Sequence, residues 1–466
     1  MIFRQYQLSC LSLFSYLIGD ETTGRAVVVD PQRDVTQYLA DAEELGLRIE
    51  RVVETHFHAD FVSGHLELAA AVGAVVSYAA GAVAEFPITT VADGERLSLG
   101  EVELEFRHTP GHTPESMSIV VREHPGAEPW GVLTGDTLFI GDVGRPDLLT
   151  SIGHTAEDLA RQLYHSVHTK LLTLPDATRV YPAHGAGSAC GKSMSDAVES
   201  TIGEQRRFNY ALQPMSEERF VEVVTEGQTP APLYFAFAAD TNRRERELLD
   251  DAETPRALDL GAVLAARSDE VVLLDCRAPE AFASGHLRGS VNVGIDGRFA
   301  EYAGDVIRPG QSVVLLCDPG RETEAKVRLA RIGFDKVLGH LPEVEAALAA
   351  HPEEAETARR LPANEVDAWL SAGDDLQVVD VRADGEAAAG TLPGARVVPL
   401  QRLMARLDEL DPGRPTVVYC AGGYRSSVAA SVLRANGFGT VADLIGGYDA
   451  WAALANSSAA SGAAAG

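Results

Sequence analysis

Glu54-Thr55-His56-Phe57-His58-Ala59-Asp60-Phe61 follows the apolar run Arg51-Val52-Val53. The run predicts a strand over Arg51 to Thr55, and the polar cluster stands at its mouth. Alternate residues of an extended chain share a face, so His56, His58 and Asp60 would point the same way. Histidine and aspartate gathered in this manner are how chains build metal sites. A surface His-x-His is the ordinary reading of such a run, so the rest of the site must be sought downstream.

Three further polar clusters follow, each at the end of an expected strand. The alternating run Glu101 to Phe106 leads to Thr109-Pro110-Gly111-His112-Thr113-Pro114. Gly131-Val132-Leu133-Thr134 ends in Gly135-Asp136, and Arg179-Val180-Tyr181-Pro182 ends in Ala183-His184-Gly185. Val35 to Leu45, before the first cluster, and Leu66 to Val72, after it, read as helices. Strand ends on one edge of a sheet sandwich bring together groups distant in sequence. His108, His124, His154, His165 and His168 have no such context and read as structural or surface groups.

The order THxHxD, PGHT, GD, AHG resembles the metallo-β-lactamase superfamily over residues 1–240, which implies an αββα sandwich. Gly141 to Asp147 (GDVGRPD) and His184 to Ser188 followed by Cys190-Gly191 resemble its persulfide dioxygenase branch. That resemblance implies one Fe(II) per chain on His56, His112 and Asp136, a two-histidine, one-carboxylate set with positions left for substrate and dioxygen. His58, Asp60 and His184 then become orienting groups. Nitrogen and carboxylate ligands suit zinc as well.

Hydrolases of the superfamily carry a histidine after the aspartate, whereas this chain has Phe61, which removes a ligand for a second metal. His65 is a weak substitute. The alternative reading is a zinc-dependent thioester or lactone hydrolase fused to a sulfurtransferase. Arg145 is the candidate for holding an anionic carrier thiol, and Cys190 either relays sulfur or packs.

The charged stretch from Asp240 to Pro255 marks a boundary. Beyond it the chain repeats itself. Val271 to Arg277 (VVLLDCR) returns 105 residues later as Leu376 to Arg382, Gly285-His-Leu-Arg-Gly289 returns as Gly390 to Gly394, and Val313 to Cys317 is echoed by Val417 to Cys420. Each copy is a small α/β unit with a largely parallel sheet. Residues 256–350 and 360–455 resemble rhodanese domains, and the Ser/Ala/Gly tail 457–466 reads as disordered.

Cys420-Ala-Gly422-Gly423-Tyr424-Arg425-Ser426 joins a strand to a helix. Loop amides, a helix N-terminus and Arg425 favour an anion there, so a persulfide on Cys420 would be stabilised, with Gly422, Gly423, Tyr424 and Ser426 lining the substrate. Four residues separate Cys420 from Arg425, one fewer than in cysteine phosphatases. The first copy has Cys317-Asp318-Pro319-Gly320-Arg321, with an amide lost to proline and acids beside the sulfur. It reads as degenerate, a spacer or interface domain, and Cys276 and Cys10 read as core.

Length and charge set outer bounds. A chain of 466 residues suits about three domains. Its net charge of −29, spread along the chain, disfavours nucleic acid and anionic membrane. Five dispersed cysteines suit a reducing cytoplasm better than a disulfide framework. The opening Leu8 to Ile18 is expected as a hairpin and not as a signal sequence. The resemblances together imply a sulfide-detoxifying fusion enzyme, a homo-oligomer acting on a thiol persulfide such as glutathione persulfide, O2, sulfite and thiosulfate.

Overall fold

The computed structural model describes all residues except Leu149, Ser151, Ile152, Gly373, Asp374 and 464–466. Two compact units divide the chain: Met1–Asp250 with Ala330–Gly333, and Asp251–Leu329 with Phe334–Gly466.

The first unit holds two six-stranded sheets. One runs in spatial order Ile2–Leu8, Leu13–Gly19, Arg25–Val29, Arg48–Val53, Val75–Ala79, Thr89–Val91. The other runs Ser200–Thr201, Arg179–Pro182, Gly131–Gly135, Met117–Arg122, Glu103–His108, Arg96–Ser98. Strand periodicity sorts their side chains. Val27, Val29 and Val53 face Leu104, Ile119 and Leu133 in the core between the sheets, whereas Ala26, Val28 and Val52 pack outward with Tyr38 and Leu68 of the helices Thr36–Glu44 and His65–Val72. Behind the second sheet, Val120, Val132 and Val180 pack with Leu163, Ile202 and Phe220 of helices Ala156–Ser166, Ile202–Phe208 and Glu217–Thr225. Layers of helix, sheet, sheet and helix result, the expected αββα sandwich. The first two strands form the antiparallel hairpin read at the N-terminus, and Cys10 lies half-buried in its turn, outside the core where the sequence put it.

Parallel pairing positions the site. Arg48–Val53 runs parallel to Arg25–Val29, and Gly131–Gly135 runs parallel to Arg179–Pro182 with Gly135 opposite Pro182. Residues just past these C-terminal ends therefore converge: His56, Asp136 and His184.

The second unit carries the sequence repeat as two parallel sheets that share a four-strand order, the second with one more edge strand. The first runs Val291–Asn292, Val271–Asp275, Ser312–Leu316, Val337–Leu341. The second runs Arg396–Val397, Gln377–Asp380, Thr416–Tyr419, Val441–Leu444, Arg359–Leu361. Cys317 and Cys420 each follow a central strand. The last helix runs Gly447–Ala463 and takes in the start of the tail 457–466, of which 464–466 lie outside the described residues. Among the described residues no helix is long and apolar enough to cross a membrane.

Candidate active sites

His56, His112 and Asp136 come together as a buried triad. His112 Nε2 lies 3.4 Å and His56 Nε2 3.9 Å from Asp136 Oδ2. His56 Nε2 and Asp136 Oδ2 are buried and have no hydrogen-bond partner among the described residues. Orphaned buried polar atoms are costly unless something fills the gap, and a metal ion shared by the three donors does so. Burial, then neighbouring His58, pushes the His56 pKa well below its ordinary value, so its nitrogen is a neutral donor. Burial works against the charge on Asp136, but His184, His112 and His56 outweigh it and hold the carboxylate ionised. The donor set therefore fits a divalent cation.

Each donor is aimed by a second contact. His56 Nδ1 lies 3.0 Å from Thr55 Oγ1, and Thr55 is itself held by Asp30 through its amide at 2.7 Å and its hydroxyl at 2.9 Å. His112 Nδ1 lies 2.9 Å from the Arg145 carbonyl oxygen. His184 Nδ1 donates to Asp136 Oδ1 at 2.7 Å, and its Nε2 lies 2.7 Å from Asp60 Oδ2. Burial opposes a proton on His184, yet Asp136 and Asp60 raise its pKa well above the histidine range. His58, Asp60 and His184 thus form a second buried triad beside the first. The Phe61 ring, also buried, sits 4.3 Å from the His58 ring and 6.5 Å from that of His184. His65 lies outside both triads, stacked on Phe86, and burial pushes it down to about 3.

Gly144 makes the close approach that lets the Arg145 carbonyl reach His112: a Cβ there would stand 1.9 Å from the Asp136 carbonyl oxygen. Arg145 itself is not available to a carrier thiol. Its guanidinium is buried, forks onto Asp147 at 2.7 and 2.8 Å, and donates to the carbonyls of Ala189 and Thr229. The sequence reading is corrected here, because a carboxylate two residues away claims the fork.

Asn242, in the charged stretch that the sequence reads as a boundary, is buried in this unit. Its amide nitrogen donates to the His58 and Phe61 carbonyls, each at 2.8 Å, and its oxygen accepts from the Ser63 amide at 2.9 Å. It therefore clamps the metal-side loop, and the first unit continues to Asp250. Cys190 is buried with Asp136 and His184 within 4.8 Å, and burial raises its thiol pKa strongly.

The second site surrounds Cys420, a buried residue at the end of strand Thr416–Tyr419. The Gly423 amide donates to Cys420 Sγ at 3.1 Å, and helix Tyr424–Ala435 begins directly behind. Gly423 adopts φ +102°, which only glycine takes readily. Ser426 Oγ lies 3.6 Å from Sγ and donates to the Gly423 carbonyl. Gly422 has open space beside it. Two expected substrate groups are differently engaged. The Tyr424 hydroxyl donates to the Gly294 carbonyl of the first copy, and the Arg425 guanidinium forks onto Glu386.

The family model for the metallo-beta-lactamase superfamily matches residues 9–184, and that for the rhodanese-like domain matches 261–341 and 362–454. Persulfide dioxygenase ETHE1 of Bos taurus is 35% identical over 235 residues, covering 50% of this chain and 83% of the relative; that of Homo sapiens matches to the same extent. The chain belongs to the persulfide dioxygenase family. A metallo-beta-lactamase structure from Staphylococcus aureus, 32% identical with a TM-score of 0.66, covers 73% of this chain and 98% of its own. In this chain two rhodanese-like domains follow the metallo-β-lactamase domain.

Proposed function

We propose that the first unit oxidises a low-molecular-weight thiol persulfide to sulfite at one ferrous iron held by His56, His112 and Asp136, and that Cys420 carries sulfane sulfur to thiosulfate. The net reactions balance as RSSH + O2 + H2O giving RSH, sulfite and two protons, then Cys420 persulfide plus sulfite giving Cys420 thiol and thiosulfate. The carrying observation is the triad of two imidazole nitrogens and one carboxylate, with the Phe61 ring against His58 of the neighbouring triad. Iron bound there supplies open positions for a sulfur ligand and dioxygen.

The chain's own groups do the rest. Thr55, the Arg145 carbonyl and His184 fix the donor orientations. Phe61 presents an apolar wall where a hydrolase has a metal ligand, which disfavours the two-zinc hydrolytic alternative. At Cys420 the Gly423 amide is placed to stabilise a sulfur anion. Fusion raises the effective concentration of one activity's product at the other. We assign the protein to the cytoplasm as a homo-oligomer, with glutathione persulfide or an equivalent as substrate.

The test is oxygen uptake with glutathione persulfide after anaerobic loading with iron or zinc, with metal counted per chain. Uptake from the sample holding one iron supports the reading. An inert iron form, with thioester hydrolysis by a form holding two zinc, would sink it.

A further inference from the structure

The first rhodanese-like copy keeps a cysteine at the strand end, Cys317, although the loop after it is not built to hold a sulfur anion. Among the described residues no backbone amide donates to Cys317 Sγ, whereas Gly423 donates to Cys420. The neighbouring strand differs as well. Strands Val271–Asp275 and Ser312–Leu316 pair in parallel with Asp275 opposite Leu316, so Cys276 and Cys317 are the next residues on adjacent strands. The Cys276 amide donates to the Leu316 carbonyl at 2.8 Å, fixing that proximity. In the second copy the position 105 residues on from Cys276 is Val381. The active copy thus lacks a second thiol there, and the degenerate copy has one.

Both thiols are buried, and burial, then a hydrogen bond with Cys317, raises the Cys276 pKa well above its ordinary value. Cys276 is shielded from outside reagents, but Cys317 is not. It lines a cavity of about 110 Å³ with Arg277, Asp318, Pro319, Glu343 and Glu345. Arg277 is 1% exposed, and its Nη1 has no hydrogen-bond partner among the described residues. Its Nε and Nη2 are forked onto Asp275, and Nη2 also donates to the Gly285 carbonyl, so one guanidinium edge alone is left to meet a small sulfur species, against the carboxylates of Asp318, Glu343 and Glu345. Adjacent strand positions lie within the Cα separation a disulfide tolerates.

We propose that Cys317 and Cys276 form a sulfane-reducing dithiol, in which Cys317 accepts sulfur from a small persulfide or polysulfide through this cavity and Cys276 resolves it. In the first step Cys317 takes the outer sulfur of RSSH, releasing RSH and forming Cys317–S–SH. In the second, Cys276 sulfur attacks the Cys317 inner sulfur, the S–S bond to the terminal sulfur breaks, and the Cys276 proton leaves with the departing hydrosulfide as hydrogen sulfide. The two cysteines are oxidised to a disulfide and one sulfane sulfur is reduced to sulfide. Without stabilising amides the Cys317 persulfide does not persist, so resolution by its neighbour follows directly. The persulfide substrate class rests on the proposed function above.

The test treats the full chain with inorganic polysulfide, blocks free thiols by alkylation, and maps peptides by mass without reduction. The expected result is a linked Cys276–Cys317 peptide pair, with hydrogen sulfide released at one equivalent per pair. Cys276→Ala should replace the link with a trapped persulfide on Cys317, and Cys317→Ala should lose both. Finding both cysteines freely alkylated, or a standing Cys317 persulfide in the unmodified chain, would overturn the proposal. Labelling of Cys420 in the same digest reports the sulfurtransferase reading separately: its absence beside an intact Cys276–Cys317 link counts against that reading only.

Discussion

Arg425 and Glu386 meet in a fork, each guanidinium Nη 2.7 Å from a different carboxylate oxygen. The pair fixes the first turn of the helix that backs Cys420, so Arg425 is a positioning residue for the loop. Glu386→Ala should lower thiosulfate:cyanide sulfur transfer by roughly tenfold, about 1.4 kcal/mol of barrier. Arg425→Lys should not preserve the rate, because an ammonium cannot reproduce the fork. Rates equal to those of the unmodified protein in both variants would remove Arg425 from the site's working parts.

The same pair gives a pH dependence. Its hydrogen bond to Arg425, the largest influence, holds the Glu386 carboxyl below its ordinary value of 4.5. A depressed carboxylate contributes stability above the unfolded value and loses it as pH falls through the folded one. The Tm difference between the protein and Glu386→Gln should therefore stay constant from pH 8 to about 5 and close below that. A difference that widened in acid would contradict the pairing.

Asn242 tests the clamp on the metal-side loop. Its amide satisfies two buried carbonyls and one amide of the segment His58 to Ser63. Removing it with Asn242→Ala leaves those groups unpaired, at a cost of about 2–3 kcal/mol. Urea unfolding should show that loss, and iron should leave the folded variant faster in the presence of a chelator. An unchanged midpoint would show that water replaces the amide.

What the sequence made readable follows from where the residues lie. The metal donors stand in short contiguous motifs at strand ends, and period-two apolar runs mark those strands, so topology alone brings the donors together. The repeat was readable because both copies keep an apolar strand ending in Asp-x-Arg, Asp275/Arg277 and Asp380/Arg382, and the strand-end cysteine. Asn242 was hidden because it acts on His58 from 184 residues away and sits in a charged stretch that resembles a linker. Glu386 was hidden likewise, 39 residues before Arg425. Arg145 misled for the opposite reason: its partner Asp147 was in view two residues along, and with Ala189 and Thr229 it engages all three guanidinium nitrogens.

Phe61 carries the argument for one metal, and its replacement should reverse it. The ring lies against His58 and near His184, both members of the second buried triad. Phe61→His would add an imidazole beside Asp60 and His184, giving a second cation enough ligands. Metal content measured after zinc loading should rise from one toward two per chain, and oxygen uptake by the iron form should fall. A variant that still binds a single ion would mean that the His184 bridge between Asp136 and Asp60, and not the missing imidazole, closes the second site.

The two chemistries should separate cleanly by mutation. Cys420→Ser removes the sulfur carrier and leaves the metal donors in place, so oxygen uptake with persulfide should remain within about twofold while thiosulfate:cyanide transfer disappears. Its product should be sulfite, because no sulfane sulfur is delivered to form thiosulfate. His112→Ala removes one of three donors and should abolish oxygen uptake, with iron content reduced, while sulfur transfer through Cys420 continues. Quantifying sulfite and thiosulfate from one persulfide addition distinguishes the outcomes. If Cys420→Ser still yields thiosulfate in the native proportion, the thiosulfate arises without the Cys420 loop, and the C-terminal copy would need another role.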